Sequence, residues 1–123
     1  MSRVLVSETL SKAGLDLLRS RGHEVNVHLD LSAQELRSMI TDADALIVRS
    51  ATVVDEQLLE AAPQLQVVGR AGVGLDNVDT AAATSRGILV CNAPESNVVS
   101  AAEHAVGLLL ALARNLPQAH ACL

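Results

Sequence analysis

Five short runs of mostly branched aliphatic residues recur along the chain, and each is followed by a segment that carries helix start signals. The runs are Arg3–Ser7 (RVLVS), Glu24–Leu29 (EVNVHL), Ala45–Val48, Leu65–Val68 and Ile88–Cys91. Apolar runs of strand length, without alternation, fit strands covered on both faces of a parallel sheet. Glu24–Leu29 alternates, with Val25, Val27 and Leu29 on one side, so it is expected to be half-covered and at or near an edge. Between the runs, Ser11 can cap a helix through Ser20 that Gly22 ends. Ser32-Ala-Gln-Glu35 is a capping box for a helix through Ile40. Asp55–Ala62 reads as a short helix stopped at Pro63, and Asp79 opens another through Ser85, with Gly87 turning the chain. Ser100-Ala-Ala-Glu103 is a second capping box, predicting a helix to about Asn115, before Pro117. Strand and helix thus alternate with short links. That pattern predicts a parallel sheet with helices on both faces and right-handed crossovers.

Composition narrows the chemistry. There is no Phe, Tyr or Trp among the 123 residues, so the core must be built from Leu, Val, Ile and Ala. Stacking of nucleobases and aromatic cages are thereby excluded. Apolar residues at 50% and charged ones at 19% do not describe a disordered chain. A formal charge of −5 argues against a nucleic-acid surface, which needs a basic patch. The longest apolar run, Ala105–Ala113, falls far short of a bilayer span, and Met1–Glu8 reads as a strand start, so neither a membrane anchor nor a leader is expected. Cys91 and Cys122 lie far apart and form no CxxC, which points to a reduced, cytoplasmic protein without a disulfide scaffold or a metal site. Cys91, inside an apolar run, is expected to be buried and inert.

The loops after the strands carry the polar residues. Open α/β sheets bind ligands outside the carboxyl ends of their strands. Leu65–Val68 runs into Gly69-Arg-Ala-Gly72-Val-Gly74, where amides near Gly72 and Val73 can form a nest for a small anion, or simply a tight turn. The dinucleotide fingerprint is not met: Asn77 stands where the third glycine belongs, no helix starts at once, and the strand is the fourth. The phosphate loop of nucleotide hydrolases needs Gly-Lys-Ser/Thr, which is absent. Arg49 and Arg70 each follow a strand's carboxyl end, where they can hold a carboxylate or phosphate, or pair with a surface acid. Ser50 adjoins Arg49. Asn92 and Asn97 flank Pro94 and can bind a ligand or fix their loop. Glu103 and His104 are adjacent on a helix and diverge, so they are no acid–base pair. No Ser, Cys and His grouping marks a nucleophile. The residues describe a binding face without a catalytic base.

From Ala101 to Leu116 nearly every position is apolar. A helix apolar on all sides is covered on all sides, so part of this surface is expected to face another domain or chain; the alternative is that small alanines tolerate exposure. Gln118–Leu123 ends without a cap or tail, which reads as a piece cut from a longer protein.

The stretch VVGRAGVGLDNVD, followed by GILVCNAPESNVVSAAEHAVGLLLALARN, resembles the D-isomer-specific 2-hydroxyacid dehydrogenases, and the resemblance runs from Arg3 to the C-terminus. Arg49-Ser50 followed by Thr52 resembles that family's early substrate loop. The resemblance implies a flavodoxin-like three-layer α/β domain with five parallel strands in order 2-1-3-4-5. It implies that residues 1–99 are a substrate-binding domain. The helix from Ser100, within residues 100–123, would cross into a nucleotide-binding domain lying beyond this chain. It implies that Gly72 and Val73 hold the substrate carboxylate, that Arg49 and Arg70 lie near its phosphate end, that Ser50 is a substrate-binding residue of the early loop, and that Asn97 sits at the cleft between substrate and cofactor. NAD, the catalytic histidine, its acidic partner and an arginine would belong to the missing part. The implied parent is an oxidoreductase acting on a small phosphorylated hydroxy acid, 3-phospho-D-glycerate, at the start of serine synthesis. The chain by itself is expected to be inactive and to hold no cofactor. Its apolar helix is expected either to fold back on the sheet, the favoured outcome, or to pair two chains through residues 100–116. Rival readings are a relative acting on glyoxylate, lactate or formate, a corepressor-type relative, or a non-catalytic fragment of the kind used to study how this fold arises. A receiver domain fits poorly, since the first strand ends in Ser7-Glu8 and the third in Arg49-Ser50.

Overall fold

The computed structural model describes every residue from Met1 to Leu123. Its elements are β1 (Arg3–Val6), α1 (Lys12–Ser20), β2 (Glu24–Val27), α2 (Ala33–Met39, continued by one 3-10 turn, Ile40–Asp42), β3 (Ala45–Val48), α3 (Glu56–Glu60), β4 (Val67–Arg70), α4 (Thr80–Ser85), β5 (Leu89–Asn92), α5 (Val98–Ala113) and α6 (Leu116–Ala121). The strands form one parallel sheet in the order β2-β1-β3-β4-β5. The fold is the expected flavodoxin-like α/β arrangement.

Local chemistry sets most element ends. Ser11 accepts from the Gly14 amide, Asp55 from Leu58 and Asp79 from Ala82. Ser32 and Glu35 close the full capping box, each side chain on the other's backbone N–H. α1 and α4 end alike. Gly22 (φ +81°) and Gly87 (φ +70°) take the left-handed position past the helix end. There the N–H of Gly22 meets Arg19 and that of His23 meets Leu18, while Gly87 meets Thr84 and Ile88 meets Ala83. These are Schellman closures, and they deliver the chain straight into β2 and β5.

Parallel pairing places the two sheet faces in very different surroundings. Leu5, Leu46, Val48 and Val68 point to one face, where α2, α3 and α4 bring Leu36, Ile40, Leu58, Leu59, Ala82 and Ala83; this is the buried core. The opposite face holds the register row Val25, Val4, Ala45, Val67 and Leu89. Along that row Val4 is buried, Ala45 and Val67 are half-buried, and Leu89 is 61% exposed. α1 sits over β1 and β2 and lends Leu18 to a groove of about 280 Å³ shared with Ala45, Ile47, Val67 and Gly69. Beyond α1 no helix covers this face.

Several expectations are corrected here. β4 and β5 start later than predicted, because Leu65 is used in the turn onto β4 (its N–H on Ala62) and Ile88 in the Schellman closure. Cys91 is exposed, since it lies on the uncovered face of an edge strand. The Ser100–Glu103 capping box does not form. α5 begins at Val98, so Ser100 already lies in its first turn, and Asn97 precedes the helix without a side-chain cap bond. Pro117 does not end the helical course of the chain. Asn115 takes a left-handed φ of +50°, and Pro117 fits the first turn of α6, where its missing N–H costs nothing. α5 does not fold back: no residue of it is buried, and Val98, Val99, Leu108, Leu109 and Leu112 are exposed. His104 is exposed like its neighbours.

Candidate functional site

The site is built by the loops that leave β3, β4 and β5 at the carboxyl edge. The β3 loop, Arg49 to Val53, is shaped by two side chains. Glu8, two residues past β1, accepts the N–H groups of Arg49 (2.8 Å), Thr52 (2.9 Å) and Ala51 (3.2 Å). Asn77, buried beneath, donates to the carbonyls of Arg49 and Thr52, both at 2.7 Å. The Ser7 and Thr52 hydroxyls share a bond of 2.9 Å. Val54 then pairs with Val78 as an isolated bridge, joining the far ends of the β3 and β4 loops.

The β4 loop bends back at once. The Gly72 N–H closes a tight turn on the Arg70 carbonyl at 2.9 Å, and Ala71 donates to Val48 at 2.8 Å. The Arg70 guanidinium folds over Gly72 so closely that a Cβ there would overlap its Nη1. Arg70 Nε donates to the Asn77 amide oxygen at 3.3 Å, and its Nη2 lies 3.9 Å from the exposed carboxylate of Asp76. At the end of β5, Asn92 donates to the Val73 carbonyl at 2.7 Å, and the Ala93 N–H in the loop beyond it donates to the Gly72 carbonyl at 2.9 Å.

Between these loops lies a cavity of about 310 Å³ lined by Arg49, Ser50, Arg70, Gly72, Val73 and Asn97, with Ala71 and Ser96. All six residues singled out from the sequence therefore meet in one place. Their free groups differ from expectation in one respect. The Gly72 N–H is spent on Arg70, whereas the Val73 N–H has no partner in the chain. The Arg49 guanidinium and the Asn97 amide likewise make no hydrogen bond or ion pair, and Asn92 fixes the loop. No carboxylate lines the cavity, so two guanidinium groups and a free amide give it positive potential.

Glu8 and Asn77 were not singled out. Both act on partners 25 to 44 residues away in sequence, which only the strand order brings near. Glu8 has a positional signal, since it follows a strand at the carboxyl edge as Arg49 and Arg70 do. Its acidity follows from its contacts: burial alone would raise the pKa, but the amides of Thr52, Arg49 and Ala51 and the Thr52 hydroxyl outweigh it and hold it below the usual carboxylate value. No group of three or more His, Cys, Asp or Glu side chains is placed to hold a metal ion, and no helix is long and apolar enough to cross a membrane.

Fold and site together define an open α/β domain with a cationic crevice at the carboxyl edge of its sheet. The chain belongs to the D-isomer specific 2-hydroxyacid dehydrogenase family, whose catalytic domain it matches over residues 4–117. It is 49% identical to a D-3-phosphoglycerate dehydrogenase of Archaeoglobus fulgidus over 95% of this chain and 22% of that protein. The crystal structure of the TT0316 protein from Thermus thermophilus superposes with a TM-score of 0.89 at 38% identity, covering 97% of this chain and 39% of that one. An NAD-dependent formate dehydrogenase from Staphylococcus aureus, solved in complex with NAD, gives a TM-score of 0.77 at 33% identity over 98% of this chain and 40% of that one. The chain thus spans about a fifth of the curated relative's length and about two fifths of the solved ones.

Proposed function

We propose that the chain is the substrate-binding lobe of an NAD-dependent D-3-phosphoglycerate dehydrogenase, a cytoplasmic enzyme that oxidises 3-phospho-D-glycerate to 3-phosphohydroxypyruvate. The observation that carries this reading is the cavity with two arginines on its wall and no carboxylate. A substrate with an anion at each end needs two cationic or N–H-rich ends to hold it. The unpaired Arg49 guanidinium suits a phosphate, which it can grip through two donors. Arg70, braced by Asn77, adds charge on the same side. The free Val73 N–H suits the carboxylate, and the unpaired Asn97 amide marks the open side of the crevice. The curated relatives, which include D-3-phosphoglycerate dehydrogenases, support the same substrate.

The residues present do not fit a dinucleotide. Arg70 lies over Gly72, the Asp76 carboxylate lies over Gly74, and the loop runs on to Asp79 before a helix begins. A pyrophosphate needs open glycines and a helix N-terminus aimed at it. NAD, which accepts the hydride, would bind a part of the parent outside residues 1–123, together with the base that takes the hydroxyl proton. This chain's own task is to bind and orient the acid. Residues 1–99 form that lobe, and the helix from about residue 100 leads toward the nucleotide-binding lobe. The chain alone turns nothing over.

The second reading is a relative for an unphosphorylated acid, favoured by the likeness to formate dehydrogenase. Calorimetric titration with 3-phospho-D-glycerate and with D-glycerate separates the two. The proposal expects binding of the phosphorylated acid only, and its loss in Arg49→Ala. Equal binding of both acids would support the second reading.

A further inference from the structure

A second cavity, of about 300 Å³, lies at the carboxyl edge between β1 and β3. The chain leaves β1 toward β2 on one side and β3 toward β4 on the other, so this is the topological switch point of the sheet. Ligands of open α/β sheets bind at such points. Here the chain supplies an anion of its own. Glu8 Oε1 accepts the N–H groups of Arg49 and Thr52, and Oε2 accepts that of Ala51. Three backbone N–H groups converging on one carboxylate form an anion nest, and both oxygens are engaged. The remaining charged groups facing this cavity are Asp30, Arg37 and Asp55.

We propose that Glu8 is the built-in occupant of the switch-point nest: it fixes the Arg49–Thr52 loop and leaves the crevice between β3 and β4 as the place where an external anion binds. Without the carboxylate, three donors would converge with no acceptor, and the loop would relax, carrying Arg49 away from the crevice. With it, an external oxyanion in the nest would meet the charge of Glu8 at contact distance, and Asp30 and Asp55 outnumber the one cation, Arg37, on the cavity wall, which closes the switch point to anions. Glu8 is therefore a positioning residue, acting on the ligand through the backbone of Arg49. Only the statement about the neighbouring crevice rests on the reading of that crevice as an anion site.

The test is amide NMR on the whole chain, without phosphoglycerate in its first stage. On acidification of the wild type, the amide protons of Arg49, Ala51 and Thr52 shift together with one midpoint below the usual glutamate range. In Glu8→Ala the same three resonances are displaced, and added formate returns them toward their wild-type positions saturably. The same formate leaves the Ala51 and Thr52 amides of the wild type unchanged, because Glu8 already fills the nest. Separate midpoints in the wild type, or a folded Glu8→Ala whose three amides ignore formate, would overturn the inference; if Glu8→Ala does not fold, the wild-type titration decides alone. In the second stage, Glu8→Ala weakens 3-phospho-D-glycerate binding on the order of tenfold, and formate restores it. Unchanged affinity would refute the link between nest and crevice. A wild type that binds no phosphoglycerate while its loop amides behave as described removes the proposed function and leaves Glu8 in its role.

Discussion

Asn77 shows how much of the carboxyl-edge loop structure one uncharged side chain can hold. It is 9% exposed, and its amide donates to two carbonyls of the β3 loop and accepts from Arg70. Asn77→Ala would leave both carbonyls and the Arg70 Nε without that partner, so a loss of about 2–3 kcal/mol is expected, measured by urea unfolding. Gly72 constrains Arg70 in another way. Its backbone φ is ordinary, and the demand on it is space, since any side chain there meets the guanidinium. Gly72→Ala is expected to push Arg70 out of place, lowering phosphoglycerate affinity more than stability; calorimetric titration beside urea unfolding separates the two effects. Glu8 adds a pH dependence. Its folded pKa is lowered, so the stability it contributes is fully present above the unfolded glutamate value, about 4.3. That contribution declines as pH falls and is gone below the folded value. Unfolding free energies of the wild type and Glu8→Gln should differ by a constant near neutral pH and converge in acid; a gap that persists at the lowest pH would contradict this.

At the scale of elements, a local signal is read correctly only where the element begins at the residue that carries it. The capping box at Ser32 reads the same in both, because every group it needs lies within four residues. The same motif at Ser100 was misleading. Its residues are right, but α5 already starts at Val98, which puts the hydroxyl inside the first turn. The contrast is testable. Ser32→Ala is expected to cost about 1 kcal/mol, and Ser100→Ala close to none, by thermal or chemical unfolding. The meeting of Arg49, Arg70, Gly72 and Val73 in one cavity was legible from one rule, that loops at the carboxyl ends of parallel strands share an edge, whereas the strand order and the place of Asn97 were legible only through the family resemblance. The exposure of Cys91 and Leu89 was not legible. Apolar composition says that a strand should be covered on both faces, but it does not say which segment covers it.

For the whole molecule, the uncovered surfaces are as informative as the core. α5 carries exposed Leu108, Leu109 and Leu112, α6 adds Leu116, and the sheet face beside α1 leaves Ile47, Val67 and Leu89 without a helix over them. Each exposed leucine, once fully covered, contributes about 1.5–3 kcal/mol, and the half-buried Ile47 and Val67 contribute less, so these surfaces favour association. In the parent they would meet the rest of the protein; in this chain alone, pairing of α5 with a second copy is the expected result. Leu109→Glu with Leu112→Glu places two charges on one side of that helix, three residues apart. Sedimentation velocity should show the wild type self-associating and the double variant monomeric, with unchanged circular dichroism. The crevice at the carboxyl edge meets only the start of α5, away from Leu109 and Leu112, and the proposed binding should persist in either state. The most direct measurement is therefore a titration of the isotope-labelled chain with 3-phospho-D-glycerate, followed through every backbone amide. Saturable shifts confined to Arg49–Ser50, Arg70–Gly74 and Ser96–Asn97 are predicted. Shifts centred elsewhere, or none at any concentration, would contradict the reading of this crevice as the place where the acid is held.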